Sequence, residues 1–146
     1  MAIISATERA FRLGPSGGTG GLFFEDKPAE GTQIAKIYVH FGDYIDGLRI
    51  EWAGLWQIQH QNGEKLRGFD GSIGAHPGFG GPYVTSIRFH SETRSSEVFG
   101  KPFSNSFTYY PMGEYSDYSI IGFFGRAGKY LDSIGPLLAP VVKQDS

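Results

Sequence analysis

Three short stretches of this chain follow one formula, and that repetition constrains the fold more than any other feature. Gly42-Asp-Tyr-Ile-Asp-Gly-Leu48, Gly81-Pro-Tyr-Val-Thr-Ser-Ile87 and Gly128-Lys-Tyr-Leu-Asp-Ser-Ile134 share one order. It runs glycine, any residue, tyrosine, a branched aliphatic, Asp or Thr, a small residue, then Leu or Ile. A single copy would be a convenient hairpin turn. Three in register point to a duplicated unit, and a duplicated unit decides architecture. Each copy follows an apolar or glycine-rich segment able to pair with the strand after it. The expectation is three small antiparallel sheets around a pseudo-threefold axis. None would be stable alone, so their inner faces must share one core.

Composition agrees with an all-β chain. The 146 residues include 22 glycines, 12 phenylalanines and 8 tyrosines. Aromatics fill a core, and glycines supply sharp turns between short strands. The length suits one domain, spanning residues 1–146 with its core over roughly 11–142. Alternation is clear over Gln33–Phe41, Tyr44–Trp52 and Tyr83–His90, and less so over Thr7–Leu13, Leu22–Phe24, Leu55–His60, Ser106–Tyr110 and Tyr118–Phe124. Glu97–Phe99 reads as a short strand, and Tyr130–Val142 as a strand interrupted by Pro136. Ala53-Gly54 reads as a tight turn and Gln61-Asn62-Gly63 as a hairpin. The segment 64–82, crowded with Gly and Pro, carries little strand signal. No stretch shows a helical stripe.

Several function classes are excluded or disfavoured. A net charge of −2 with scattered acids and bases offers no field for nucleic acid or an anionic membrane. Without cysteine there is no disulfide, thiolate nucleophile or thiolate metal site. His40, His60, His76 and His90 are far apart and build no metal site; His40 and His90 end strands and read as surface residues. Gly17–Gly21 is followed by no Gly-Lys-[Ser/Thr], which argues against a phosphate cradle. Asp43 and Asp46 share one short loop and lack a carboxylate across a cleft, so they make a poor glycosidase pair. Trp52 and Trp56 read as packing residues. No cofactor is called for. The first nine residues lack the apolar core and cleavage pattern of a signal peptide, and the compartment stays unassigned.

Four stretches together carry a family resemblance: Gly17-Gly-Thr-Gly-Gly21, Gly42-Asp-Tyr-Ile-Asp46, Ile121-Gly-Phe-Phe-Gly-Arg-Ala-Gly128 and Lys129-Tyr-Leu-Asp-Ser-Ile-Gly135. Over roughly residues 11–142 the chain resembles the jacalin-related lectins. The resemblance implies a β-prism I fold of three Greek-key sheets. It also implies a sugar held between a glycine-rich loop, whose last glycine maps onto Gly21, and a Gly-x-x-x-Asp loop at Gly128, Lys129, Tyr130 and Asp132. The chemistry of those residues suits the role. A neutral sugar offers hydroxyls that donate and accept. The Asp132 carboxylate can accept from two of them, and backbone N–H groups of Lys129, Tyr130 and Asp132 can donate. Such charge-assisted bonds are worth about 1.5–3 kcal/mol each. The competing reading of Asp132 is a carboxylate that caps its own turn.

Asp43, Tyr44 and Asp46 form a second candidate carbohydrate site by the same geometry. Here the chain departs from the family, with only Gly63 or Gly68 to stand in for a second glycine cluster. The third loop has Thr85 in the carboxylate's place and Pro82 in place of a donor, with Gly100-Lys-Pro-Phe103 as its counterpart of the glycine cluster, and reads as structural. An uncut chain through 14–21 is similar to the mannose/glucose-binding group. The expected function is a non-catalytic lectin whose partners are glycans or glycoproteins. A single shallow site binds near millimolar, only about −4 kcal/mol, so a homodimer or higher oligomer is expected to supply avidity. The alternative is a β-prism module for protein or membrane association that binds no sugar.

Overall fold

The computed structural model describes residues 10–28, 32–54, 66–112 and 116–140. They form eleven strands and, among the described residues, no helix. In chain order these are β1 (Phe11–Arg12), β2 (Ser16–Gly17), β3 (Leu22–Asp26), β4 (Thr32–Phe41), β5 (Ile45–Gly54), β6 (Leu66–Gly74), β7 (Tyr83–Ser91), β8 (Phe99–Gly100), β9 (Asn105–Tyr109), β10 (Tyr118–Ala127) and β11 (Leu131–Pro140). They divide into three sheets: β3-β10-β11 with β1 and β2 both on the far side of β11, then β4-β5, then β8-β7-β6-β9. Strands from the two ends of the chain are neighbours, Phe11 facing Leu138 and Ser16 facing Ile134.

The repeat is visible in the hairpins β4–β5, β6–β7 and β10–β11, one per sheet. Each carries two bulges. The first leaves Ala35, Arg67 and Ile121 without a partner; the second leaves Asp46, Thr85 and Asp132. Those last three are the fifth positions of the repeated formula. A bulge puts two residues against one and re-aims a side chain. The acid of the formula is thus the residue a sheet cannot pair.

The aliphatic before it, at Ile45, Val84 and Leu131, is buried in every copy. Phe69, Phe123, Phe107, Ile87 and Ile134 join these three in one core drawn from all three sheets. The tyrosines converge as well. Ring centroids of Tyr44 and Tyr130 lie 5.0 Å apart, Tyr83 and Tyr130 5.1 Å, and Tyr44 and Tyr83 5.5 Å. The three rings close one end of the pseudo-threefold axis, edge-on or tilted as aromatic quadrupoles favour.

The structure corrects four readings of the sequence. The segment read as strand-poor contains β6, an inner strand between β7 and β9. Its glycines are strand residues over which rings from β9 and its flanks lie: a Cβ on Gly71 would meet the Phe107 ring, on Gly74 that of Phe103, and on Gly68 that of Tyr110. Ala53 and Gly54 continue β5 rather than turning, paired with Gln33 and Thr32. Pro136 does not interrupt β11. It sits between the residues that pair with β1 and those that pair with β2, and its carbonyl accepts from Leu13 N–H at 3.2 Å. A residue's N–H and C=O point to the same side of an antiparallel strand, so the donor proline lacks falls at that break. Ser106–Tyr110 shifts by one, to Asn105–Tyr109. The readings on 1–9, 55–65 and 141–142, including Trp56, His60 and the Asn62-Gly63 hairpin, lie outside the described residues.

Candidate functional site

Asp132 is the centre of the arrangement at the β10–β11 turn. It is only 5 % exposed, and the chain is built closely around it. The backbone N–H of Gly18 donates to the Asp132 carbonyl at 2.8 Å. A Cβ on Gly20 would lie 2.7 Å from Asp132 Oδ1. One on Gly21 would lie 2.5 Å from Oδ2 and 2.6 Å from the Ala127 carbonyl carbon. Gly21 also has φ +70, a conformation that disfavours any side chain. Gly128 faces it, its own Cβ position 3.4 Å from the Gly21 Cα. The sequence expectation that Gly21 meets Gly128–Asp132 across the chain is what the geometry shows.

Burial pushes the Asp132 carboxyl above its ordinary range, while the Arg126 charge and the residue's own backbone N–H pull the other way. The carboxylate is therefore short of solvation and has acceptor capacity for a donor arriving from outside. Lys129 is exposed, with its ammonium 5.5 Å from the Tyr130 ring centroid. The Tyr130 ring belongs to the tyrosine cluster.

The second candidate loop shares the backbone of the first. Gly42 N–H donates to the Tyr44 carbonyl at 2.9 Å, as Gly128 N–H does to that of Tyr130 at 3.0 Å. Their surroundings differ. Tyr44 is buried against His76, Phe79, Tyr83, Phe103 and Tyr130, and its hydroxyl accepts from His76 N–H at 2.6 Å. The Asp43 side chain is 76 % exposed, with His76 Nε2 3.9 Å away, and Asp46 is exposed. A Cβ on Gly42 or Gly47 would meet nothing, so no glycine loop covers this acid among the described residues. Gly63 lies outside them. Gly68 pairs with His90, toward the opposite end of β6 from the Gly74–Tyr83 turn, and cannot substitute.

At the third loop, Thr85 is fully buried and its hydroxyl bonds that of Ser72 at 2.7 Å. Lys101 N–H donates to the Thr85 carbonyl at 2.9 Å, as Gly18 does to Asp132. Three residues beyond Gly17 stands Gly20; three beyond Gly100 stands Phe103, its ring over Gly74. A bare glycine thus lies against Asp132 where the equivalent position at the third loop carries a phenylalanine.

Three contributors escaped sequence reasoning. Gly20 lies as near the carboxylate as Gly21 does. Gly18 bonds the Asp132 backbone and packs on Pro82. Arg126 donates from Nε to the Gly20 carbonyl at 3.0 Å and from Nη2 to the Gly21 carbonyl at 2.7 Å. The first two belonged to a cluster already singled out, and Arg126 to the longest quoted motif, but nothing in the spacing says which carbonyls a guanidinium will reach. His90, read as a surface residue, is partly buried and bonded to Asp70 and to Ser95. Among the described residues no group of three or more His, Asp or Glu could hold a metal. Trp52 packs, donating from its indole to the Ile121 carbonyl at 3.4 Å.

Comparison with known proteins places these observations. Jacalin-related lectin 9 of Arabidopsis thaliana is 31% identical over 90% of this chain and 46% of its own length. Myrosinase-binding protein 2 of the same plant is 28% identical over 87% of this chain and 21% of its own. The chain spans about half or less of the length of these relatives. A mannose-specific jacalin-related lectin from Morus nigra, solved with mannose, superposes with a TM-score of 0.76 at 21% identity, covering 94% of this chain and 99% of that one. The three sheets are thus those of a β-prism I. The sequence model of the jacalin-like lectin domain matches residues 13–137, and the chain belongs to that family.

Proposed function

We propose that this domain is a non-catalytic carbohydrate-binding module whose site is Gly21, Gly128, Lys129, Tyr130 and Asp132, with Gly20 beside them. One observation carries the reading: a desolvated carboxylate is ringed by backbone that has no side chains. Asp132 accepts from two neighbouring sugar hydroxyls. The N–H groups of Lys129 and Tyr130 donate, and the bare Gly20–Gly21 and Gly128 backbone lets a pyranose ring lie close. A chain uncut through 14–21 fits a mannose- or glucose-type ring, as does the fold shared with a mannose-specific lectin. Single-site affinity of about −4 kcal/mol fits multivalent use in a homo-oligomer. Asp43 and Asp46 form at most a weaker second site, since both are exposed and no described glycine loop lies against them.

Isothermal titration with methyl-α-mannoside and with galactose tests this on wild type and Asp132→Ala. Wild type binds the mannoside and not galactose. The variant keeps its fold and loses at least about tenfold in affinity, the lower bound set by losing even one of its two charge-assisted hydrogen bonds. Unchanged binding by Asp132→Ala refutes the site. A second reading, a protein-association module without sugar binding, draws support from the similarity to a myrosinase-binding protein, and predicts no mannoside heat at all.

A further inference from the structure

Arg126 stands one residue before the last of β10, paired with Phe23 of β3 on one side and Ser133 of β11 on the other. From there its guanidinium spans two consecutive carbonyls of the glycine loop, Gly20 and Gly21. A planar fork with fixed N–H directions can hold two acceptors at once; an ammonium holds position far less strictly. What it holds is a Gly-Gly pair, whose backbone has more intrinsic freedom than any other. In a planar trans peptide the N–H points opposite the C=O. Fixing the Gly20 carbonyl on Arg126 therefore also fixes the Gly21 N–H, directed away from Arg126.

We propose that Arg126 is a positioning residue for the ligand site: it clamps the Gly20 and Gly21 carbonyls and so sets the glycine half of the site against the Asp132 half, without touching the ligand. This rests on the assignment of the site to Asp132 and its glycines. The same side chain has a second effect, because its charge favours the ionised Asp132 carboxylate that burial disfavours. It has little competition there. Residues 16–21 carry no titratable side chain, nor does the Pro82 that packs on Gly18. Of the loop's own groups, Lys129 is exposed with its ammonium near the Tyr130 ring, and Tyr130 and Tyr83 pack on each other.

The two effects separate in two variants. Arg126→Lys keeps the charge and loses the fork; Arg126→Gln loses both. Methyl-α-mannoside affinity is measured for wild type, both variants and Asp132→Ala from neutral to mildly acidic pH, with the melting temperature of each. Both arginine variants are expected to lose about tenfold in affinity, while melting within a few degrees of wild type. On acidification Arg126→Gln loses its remaining affinity at a higher pH than wild type, and Arg126→Lys follows the wild-type profile. Wild-type affinity in both variants overturns the proposal; a wild-type acid limb in Arg126→Gln overturns the charge effect alone, and the affinity loss then carries the clamp. If Asp132→Ala also binds like wild type, the site assignment fails first; if it alone loses binding, only the role of Arg126 does.

Discussion

Asp132 is the unpaired residue of its bulge, and that position explains both its solvation and its reach. Because burial raises its carboxyl above the ordinary value near 3.8, the folded protein binds that proton more tightly than the unfolded chain does. The usual direction for a carboxylate is therefore reversed. Near neutral pH the ionised group works against folding, and the penalty is relieved as pH falls through the raised folded value. Asp132→Asn removes the charge at nearly constant shape. It is expected to melt at or above the wild-type temperature at neutral pH, with the gap closing on acidification, while mannoside binding is lost. A variant that melts lower than wild type at neutral pH, with the gap closing in acid, would show the ionised carboxylate to be stabilising, contrary to the burial argument. Which acid of the formula the glycine cluster meets was legible in the sequence, since only Gly128–Asp132 was matched by a complete glycine cluster. The part played by the repeated tyrosine was not. Its side chain serves the axis where three sheets meet, and that meeting is invisible to any local pattern.

At the scale of elements, β6 shows how a strand hides from its own sequence. Strand signals are read from β-branched and aromatic residues within the segment, and β6 is rich in glycine instead. The reason lies elsewhere, in the rings of Phe103, Phe107 and Tyr110 that occupy the space a side chain on Gly74, Gly71 or Gly68 would need. The best-read strands, β4, β5 and β7, supply their own alternating side chains. Gly71→Ala sets a Cβ against the Ser86 carbonyl as well as the Phe107 ring. Backbone cannot step aside, and overpacking of this kind costs about 1–3 kcal/mol. Gly47→Ala, where a Cβ meets nothing, is expected to stay within about 0.5 kcal/mol of wild type. Urea denaturation of the pair checks the contrast, and equal stabilities would contradict the packing account of β6. Pro136 makes the same point, because its tolerance depends on where β1 ends and β2 begins rather than on β11 itself.

Over the whole molecule, one hairpin with two bulges occurs three times, yet its corners have different fates. At the first corner the glycine loop lies against the Asp132 carboxylate. At the second, Asp46 is exposed and uncovered by any described residue. At the third, Thr85 is buried on Ser72 and the Phe103 ring lies over Gly74. The threefold plan was legible because the formula recurs at fixed positions. The inequality of the corners was legible only in part, since Pro82 and Thr85 announced a retired loop while the placement of Phe103 depends on a ring reaching across to β6. The central claim is that ligand enters one corner and meets backbone. The measurement that tests it most directly is a nuclear magnetic resonance titration of the nitrogen-15-labelled protein with methyl-α-mannoside, followed at backbone amides. The account predicts saturable shifts concentrated at Gly20, Gly21 and Gly128–Asp132, with the amides of Tyr83–Thr85 unmoved. Saturation that leaves Gly21 and Asp132 in place, or shifts centred on another corner, would contradict it.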